Sequence, residues 1–119
     1  MKLPIPNNPR IKSFYVGGSS SPEGRARVRE VQEILRSDGF SVTWDWTSFE
    51  GPPEEIVARD IFGIASADAI LLIFENPDFV FRGSFTELGL AIAMKKNVYI
   101  LGDAGDANIF LNSPLVRKL

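Results

Sequence analysis

Residues 69–74 read Ala-Ile-Leu-Leu-Ile-Phe, six apolar side chains with no polar interruption. A strand with one wet face alternates apolar and polar. An unbroken apolar run of strand length suits a strand covered on both faces, the setting of a central strand in a parallel sheet. Downstream lies the polar and aromatic loop 75–83 (ENPDFVFRG). A helix is then expected over Ser84–Lys95 with Leu88, Ala91 and Ile92 inward, followed by a strand at 97–101 (NVYIL) that Gly102-Asp103 ends. A short helical turn and an edge strand are expected in the remainder. Upstream, apolar positions Val57, Ile61 and Ile64 are in phase for a helix over Pro53–Ala67, preceded by the turn-rich loop DWTSFEGPP and a strand at 40–44 (FSVTW). Before that strand, Ser21-Pro22 signals a helix start. The helix runs to Ser37, with Val28, Val31, Ile34 and Leu35 as its buried stripe and Arg25, Arg29 and Arg36 outward. The first strand is 11–16 (IKSFYV), closed by Gly17-Gly18. Residues 1–10 hold three prolines and no periodicity, and are expected to be an N-terminal arm outside the core.

Strand and helix alternating in this way predict an α/β domain over 11–119, with a mostly parallel sheet of four to five strands and helices on both faces. In open sheets of this kind ligands bind beyond the carboxyl ends of the strands, near the point where strand order reverses. The loops to watch are therefore 17–21, 44–52, 75–84 and 102–108. A chain of 119 residues supports one such domain. It has neither cysteine nor histidine. Thiol nucleophiles, Ser-His-Asp triads and Cys- or His-ligated metals are thereby excluded, and acid–base chemistry falls to carboxylates, tyrosine or lysine. A net charge of −2 gives no electrostatic reason to expect a nucleic-acid polymer or an anionic membrane as partner. No apolar run approaches membrane-spanning length and no signal peptide is visible, so a cytoplasmic protein is expected.

Each candidate residue has a functional and a structural reading. Gly17, Gly18, Ser19 and Ser20 sit where a strand turns into a helix. Backbone N–H groups and hydroxyls there suit an anion or a sugar; a tight turn, with Ser20 and Glu23 as a capping box, accounts for them equally well. Glu87, at the start of the third helix, lies on the ligand side of the sheet, although Ser84 and Glu87 also have capping-box spacing. Tyr15 is either a partner for a carboxylate across the site or a core aromatic. Trp44, Asp45 and Trp46 follow the second strand, where indole faces suit a planar base or simply core packing. Asp68 precedes the central strand, at its amino end, where a structural carboxylate accepting hydrogen bonds is the simpler reading. Asp60, on the second helix, can face either solvent or the site, and a solvated face is the simpler reading.

The order of motifs resembles the nucleoside 2-deoxyribosyltransferase family. It runs Phe14-Tyr15-Val16-Gly17-Gly18, then Arg59-Asp60-Ile61-Phe62-Gly63-Ile64 with Ala67-Asp68 and the apolar strand. Gly83-Ser84-Phe85-Thr86-Glu87-Leu88-Gly89-Leu90-Ala91 comes last, before Lys96-Asn97-Val98. The resemblance implies a three-layer flavodoxin-like or Rossmann-like sandwich and cleavage or exchange of the N-glycosidic bond of a 2′-deoxynucleoside or its 5′-monophosphate. By the same resemblance Glu87 is the nucleophile at C1′, Tyr15 orients it, and Asp68 joins the polar constellation. Gly17 to Ser20 line the sugar or phosphate end. Trp44, Asp45 and Trp46, with Asn76, Gly83 and Ser84, complete the substrate side. No metal or cofactor is implied, and a homodimer or larger assembly is expected because family sites form between subunits. One position departs from the pattern: family transferases carry an aspartate six residues before the nucleophile, and here that residue is Phe81. The competing reading is a module that binds a nucleotide without turning it over.

Overall fold

The computed structural model describes residues 2–119. The chain runs β1 (Ser13–Gly17), α1 (Pro22–Ser37), β2 (Ser41–Val42), α2 (Pro53–Ser66), β3 (Ala69–Phe74), α3 (Arg82–Ala93), β4 (Asn97–Gly102), a 3-10 turn (Ile109–Asn112) and β5 (Val116–Lys118). The five strands form one sheet in the order β2-β1-β3-β4-β5, every neighbouring pair parallel. This is the flavodoxin-like doubly wound order, and its reversal point lies between β1 and β3.

Side-chain alternation sorts the core into two layers. Phe14 and Val16 of β1, with Leu71 and Ile73 of β3, meet Val28, Val31 and Leu35 of α1. Tyr15, Ile70, Leu72 and Phe74 point the other way, against Ile64 of α2 and Leu88 and Ala91 of α3. All six residues of β3 are buried, as a strand with helices on both faces requires.

Several boundaries and faces differ from expectation. The N-terminal segment is irregular but not detached: Leu3 is buried and joins Ile11 in the α1-side core. β2 has two residues rather than five, because beyond Val42 the chain turns side chains toward α2, with Thr43 Oγ1 donating to the Gly63 carbonyl at 2.6 Å. On α2 only Gly63 and Ile64 are buried, while Val57, Ile61 and Phe62 are exposed. Its first turns stand over the 44–52 loop instead of the sheet. α3 begins at Arg82, two residues early, with Phe81 in the cap position and no side-chain cap bond. Ser84 is therefore inside the helix, not capping it.

Candidate active site

At the carboxyl ends of β1 and β3, a cleft of about 230 Å³ opens between the loop after β1, the 44–52 loop, α2 and the start of α3. Tyr15, Asp60 and Glu87 line it together with Gly18, Ser20, Arg25, Trp44, Trp46, Phe81, Gly83 and Ser84; Phe49, Ile56 and Val80 add apolar wall.

Glu87 reaches from α3 across to β1. Tyr15 Oη donates a short hydrogen bond to Glu87 Oε2. The other oxygen lies against Gly17, where a Cβ would stand 2.7 Å from Glu87 Oε1 and 2.7 Å from Leu72 Cδ2. Glycine is thus what lets the carboxylate approach the end of β1. The carboxyl is pushed up to about 7, chiefly by burial; the Tyr15 hydrogen bond opposes the rise and the Asp60 charge adds to it. Tyr15 is fully buried on the α2/α3 face, and its hydroxyl is held far above the usual phenol range by burial and by the facing Glu87.

Asp60, for which a solvated face is the simpler reading of the sequence, turns instead into the cleft. Its carboxylate accepts from Trp44 Nε1 at 3.2 Å, and burial raises its pKa, the Trp44 bond opposing. A signal for it existed: Asp60 is one turn before Ile64, so it shares the helix face of the one large apolar side chain α2 buries. Gly63, on the next turn, gives room for the indole, since a Cβ there would lie 2.7 Å from Trp44 Cβ and 3.0 Å from Tyr15 Cδ2.

The aromatic wall is fixed by polar contacts. Trp46 Nε1 donates to the Val16 carbonyl at 2.8 Å, and Trp44 meets Phe49 edge-on at a ring separation of 5.3 Å. The Arg59 guanidinium covers both Trp44 and Phe49, at 5.2 and 4.6 Å. Arg25, expected to face outward, instead spans the mouth. Its Nε donates to the Ser20 carbonyl at 2.9 Å and its Nη1 to the Thr47 carbonyl at 3.2 Å, placing a fixed positive charge on the cleft wall.

Other sequence candidates stand apart from the cleft. Asp68 lies at the amino end of β3, where Oδ2 accepts from the backbone N–H of Lys12 (2.9 Å) and Ser13 (3.2 Å). Those bonds, the Lys12 one foremost, lower its pKa. Its expected place in the catalytic constellation is corrected: it stands at the end of the sheet opposite the cleft and does not line it. Asp45 is turned into its own loop, accepting from the Thr47 N–H, the Thr47 hydroxyl and Gln32 Nε2. Burial works against that carboxylate, but these bonds hold its pKa below the usual range. Asn76 caps a turn by accepting from the Asp78 N–H at 3.0 Å and does not line the cleft. Ser19 is buried under the first loop, bonded to Ser21 Oγ and the Ser21 N–H. The helix cap is Ser21, accepting from the Gly24 N–H at 3.1 Å, and not the Ser20–Glu23 box. Of the first-loop residues Gly18 and Ser20 line the cleft directly.

Residues 14–113 match the family described as nucleoside 2-deoxyribosyltransferase. The chain belongs to that family. No curated protein matches it in sequence. Among solved structures, that of Clostridium botulinum CMP N-glycosidase, BcmB, is similar with a TM-score of 0.60 at 17% identity, over 91% of this chain and 88% of that one. At that identity the likeness supports the shared fold. The match spans both the Tyr15 strand and the Glu87 helix. Among the described residues no helix is long and apolar enough to cross a membrane.

Proposed function

We propose that this chain cleaves or exchanges the N-glycosidic bond of a 2′-deoxynucleoside or its 5′-monophosphate, with Glu87 as nucleophile. The observation that carries the reading is the Tyr15–Glu87 contact in the cleft wall at the sheet's reversal point. The Glu87 carboxylate attacks C1′ and forms a glycosyl ester. The C1′–N bond breaks, and its electron pair leaves with the base. The oxocarbenium-like transition state is positive at the sugar, so a facing carboxylate both stabilises it and bonds to it. Asp60, the second carboxyl group of the cleft, is placed to deliver a proton to the departing base. Water or a second base then takes the sugar and frees Glu87. Tyr15 holds Glu87 Oε2, leaving the other oxygen for the sugar. Trp44, Trp46 and Phe81 offer ring faces to the base. Arg25 and Ser20 suit a 5′-phosphate, a substrate class that the name of the C. botulinum enzyme also supports.

The test is incubation with deoxynucleosides and their monophosphates, with and without an acceptor base, followed by chromatography for free base. Turnover lost in Glu87→Ala supports the reading. Saturable binding without turnover in the natural chain instead supports a nucleotide-binding module. Phe81, in place of the family's aspartate, is the observation in that module's favour.

A further inference from the structure

Ser84 is the buried polar group of the cleft that the mechanism does not use. It is 1% exposed, it lies in the cleft wall, and its Oγ has no hydrogen-bond partner in the protein. Helical serines and threonines ordinarily return their hydroxyl to the carbonyl four residues back. Ser66 does so with Phe62 and Thr86 with Arg82. Ser84 is the third residue of α3, so the residue four back, Val80, lies outside the helix and no such carbonyl is in line. Gln32 Oε1 is the other buried side-chain atom without a partner among the described residues, but that amide already donates to Asp45 and stands away from the cleft. An unpaired hydroxyl in a buried wall is costly, and a ligand group that pairs it is selected over one that does not.

The position of Ser84 says which ligand group that is. It precedes Glu87 by three residues, so both side chains leave the same face of α3. A nucleophile attacks C1′ from the side opposite the departing base. In a β-nucleoside that side of the sugar carries the 2′- and 3′-hydroxyls. The helix face that presents Glu87 to C1′ therefore presents Ser84 to the hydroxylated face of the ring and not to the base. We infer that Ser84 Oγ is a specificity-determining contact that reads a sugar hydroxyl on the face attacked by Glu87. This rests on the proposed reading of the site, and the substrate class it names is a nucleoside or nucleotide hydroxylated at 2′ or 3′.

The experiment crosses one substrate change with one protein change. The ribo-, 2′-deoxyribo- and 2′,3′-dideoxyribonucleoside monophosphates of cytosine and of adenine are compared on the full chain and on Ser84→Ala, by kcat/KM and by equilibrium Kd. The result expected is that removing one hydroxyl weakens the natural chain roughly tenfold while leaving Ser84→Ala nearly unaffected; which step shows the loss identifies the 2′- or the 3′-hydroxyl. Equal losses in both proteins overturn the inference and leave the glycosidic reading standing. Coupling seen in Kd without turnover of any compound sustains the Ser84 contact and refutes the chemistry. Absence of binding by every compound refutes both. Thermal unfolding separates a ligand role from a packing role. Ser84→Ala removes an unpaired buried hydroxyl, so its Tm should match or exceed that of the natural chain, and a clear fall would overturn the assignment. Ser84→Thr keeps the hydroxyl and should keep the discrimination.

Discussion

Replacing Glu87 by glutamine removes the proposed nucleophile and a buried charge in one nearly isosteric change, so catalysis and stability report on it independently. The folded chain holds this carboxyl at about 7, against 4.5 for a free glutamate. Between those values the folded chain keeps a proton that the unfolded chain has released. This group's contribution to stability is thus full below pH 4.5 and is lost as pH rises through about 7. The difference is worth at most about 3 kcal/mol, and about 2 kcal/mol is a better expectation because the carboxylate still meets water in the cleft. Glutamine has no proton to lose. Glu87→Gln should therefore unfold at about the same urea concentration as the natural chain near pH 5, and be more stable by about 2 kcal/mol near pH 8.5. Fluorescence of Trp44 and Trp46 follows the transition.

The same preparation, assayed by chromatography for released base, should show turnover reduced at least about a thousandfold. In the natural chain the rate should rise with pH through about 7 as Glu87 ionises. Two results would refute the reasoning. If the natural chain and the variant keep a constant stability difference across this range, Glu87 is not the buried group that titrates. If the variant still releases base, some other group attacks the sugar.

Three neighbours and one distant residue sharpen the picture. Gly17→Ala drives a methyl group against both Glu87 Oε1 and Leu72; it should cost about 1–3 kcal/mol of stability by urea unfolding and about a hundredfold in kcat through misplacing the carboxylate. Tyr15→Phe removes the bond that holds the Glu87 pKa down, so the rising limb of the pH–rate profile should move to higher pH and the maximal rate should fall. Asp60→Asn keeps an acceptor for Trp44 Nε1 but cannot donate a proton, and should lower kcat about 10²–10⁴-fold with natural bases, with a smaller loss for a nitrophenyl deoxyriboside whose leaving group needs no proton. Asp68→Ala should leave base release unchanged and cost about 1 kcal/mol or less, because the Lys12 and Ser13 N–H groups it serves are open to water. That contribution should fade in the natural chain as pH falls through the lowered Asp68 pKa.

The parts of this molecule legible in its sequence are those that periodicity controls. AILLIF is a fully buried central strand because only a sheet with helices on both faces hides both sides of such a run. The α1 stripe of Val28, Val31 and Leu35 is buried as 3.6-residue spacing demands. Periodicity fails on α2, where Val57 and Ile61 are in phase with Ile64 yet exposed, because phase fixes a direction around the helix and not what lies along its length. Asp60 and Asp68 make the same point for the site. Each is a carboxylate beside the second helix, eight residues apart in sequence. Asp60 is still within α2, on its inward face beside the cleft; Asp68 has passed the helix end and sits just before the return strand β3, at the amino end of the sheet. Which of them lines the cleft depends on how far along α2 the chain has travelled, a distance that side-chain phase alone does not give. The capping-box spacing of Ser84 and Glu87 misled for a related reason. The helix starts two residues earlier, so Ser84 has no carbonyl behind it and Glu87 is released to reach Tyr15.

In the proposed chemistry Phe81 decides how the base is held. Its ring packs on Phe74 at 4.8 Å and faces Phe79 at 6.3 Å, closing the wall between the main cleft and the hollow bounded by Gly102–Gly105. A carboxylate at this place would read a base through hydrogen bonds, and an analogue unable to make them would be rejected strongly, because the site's own polar group would be left unpaired. A ring offers only a face, and every base has a face to stack on it, so discrimination among bases by Phe81, Trp44 and Trp46 is limited to size and polarisability. Among the polar groups that line the cleft, Glu87 and Ser84 come from α3, Tyr15 from β1, and Ser20 and Arg25 from the first loop and the start of α1, where the proposed geometry places the sugar and its 5′ end. In the proposed reading Asp60 is the polar group left for the base side, as its proton source. On that reading selectivity is built around the sugar, and the cost of substituting the base should be smaller than the cost of altering the ring it departs from.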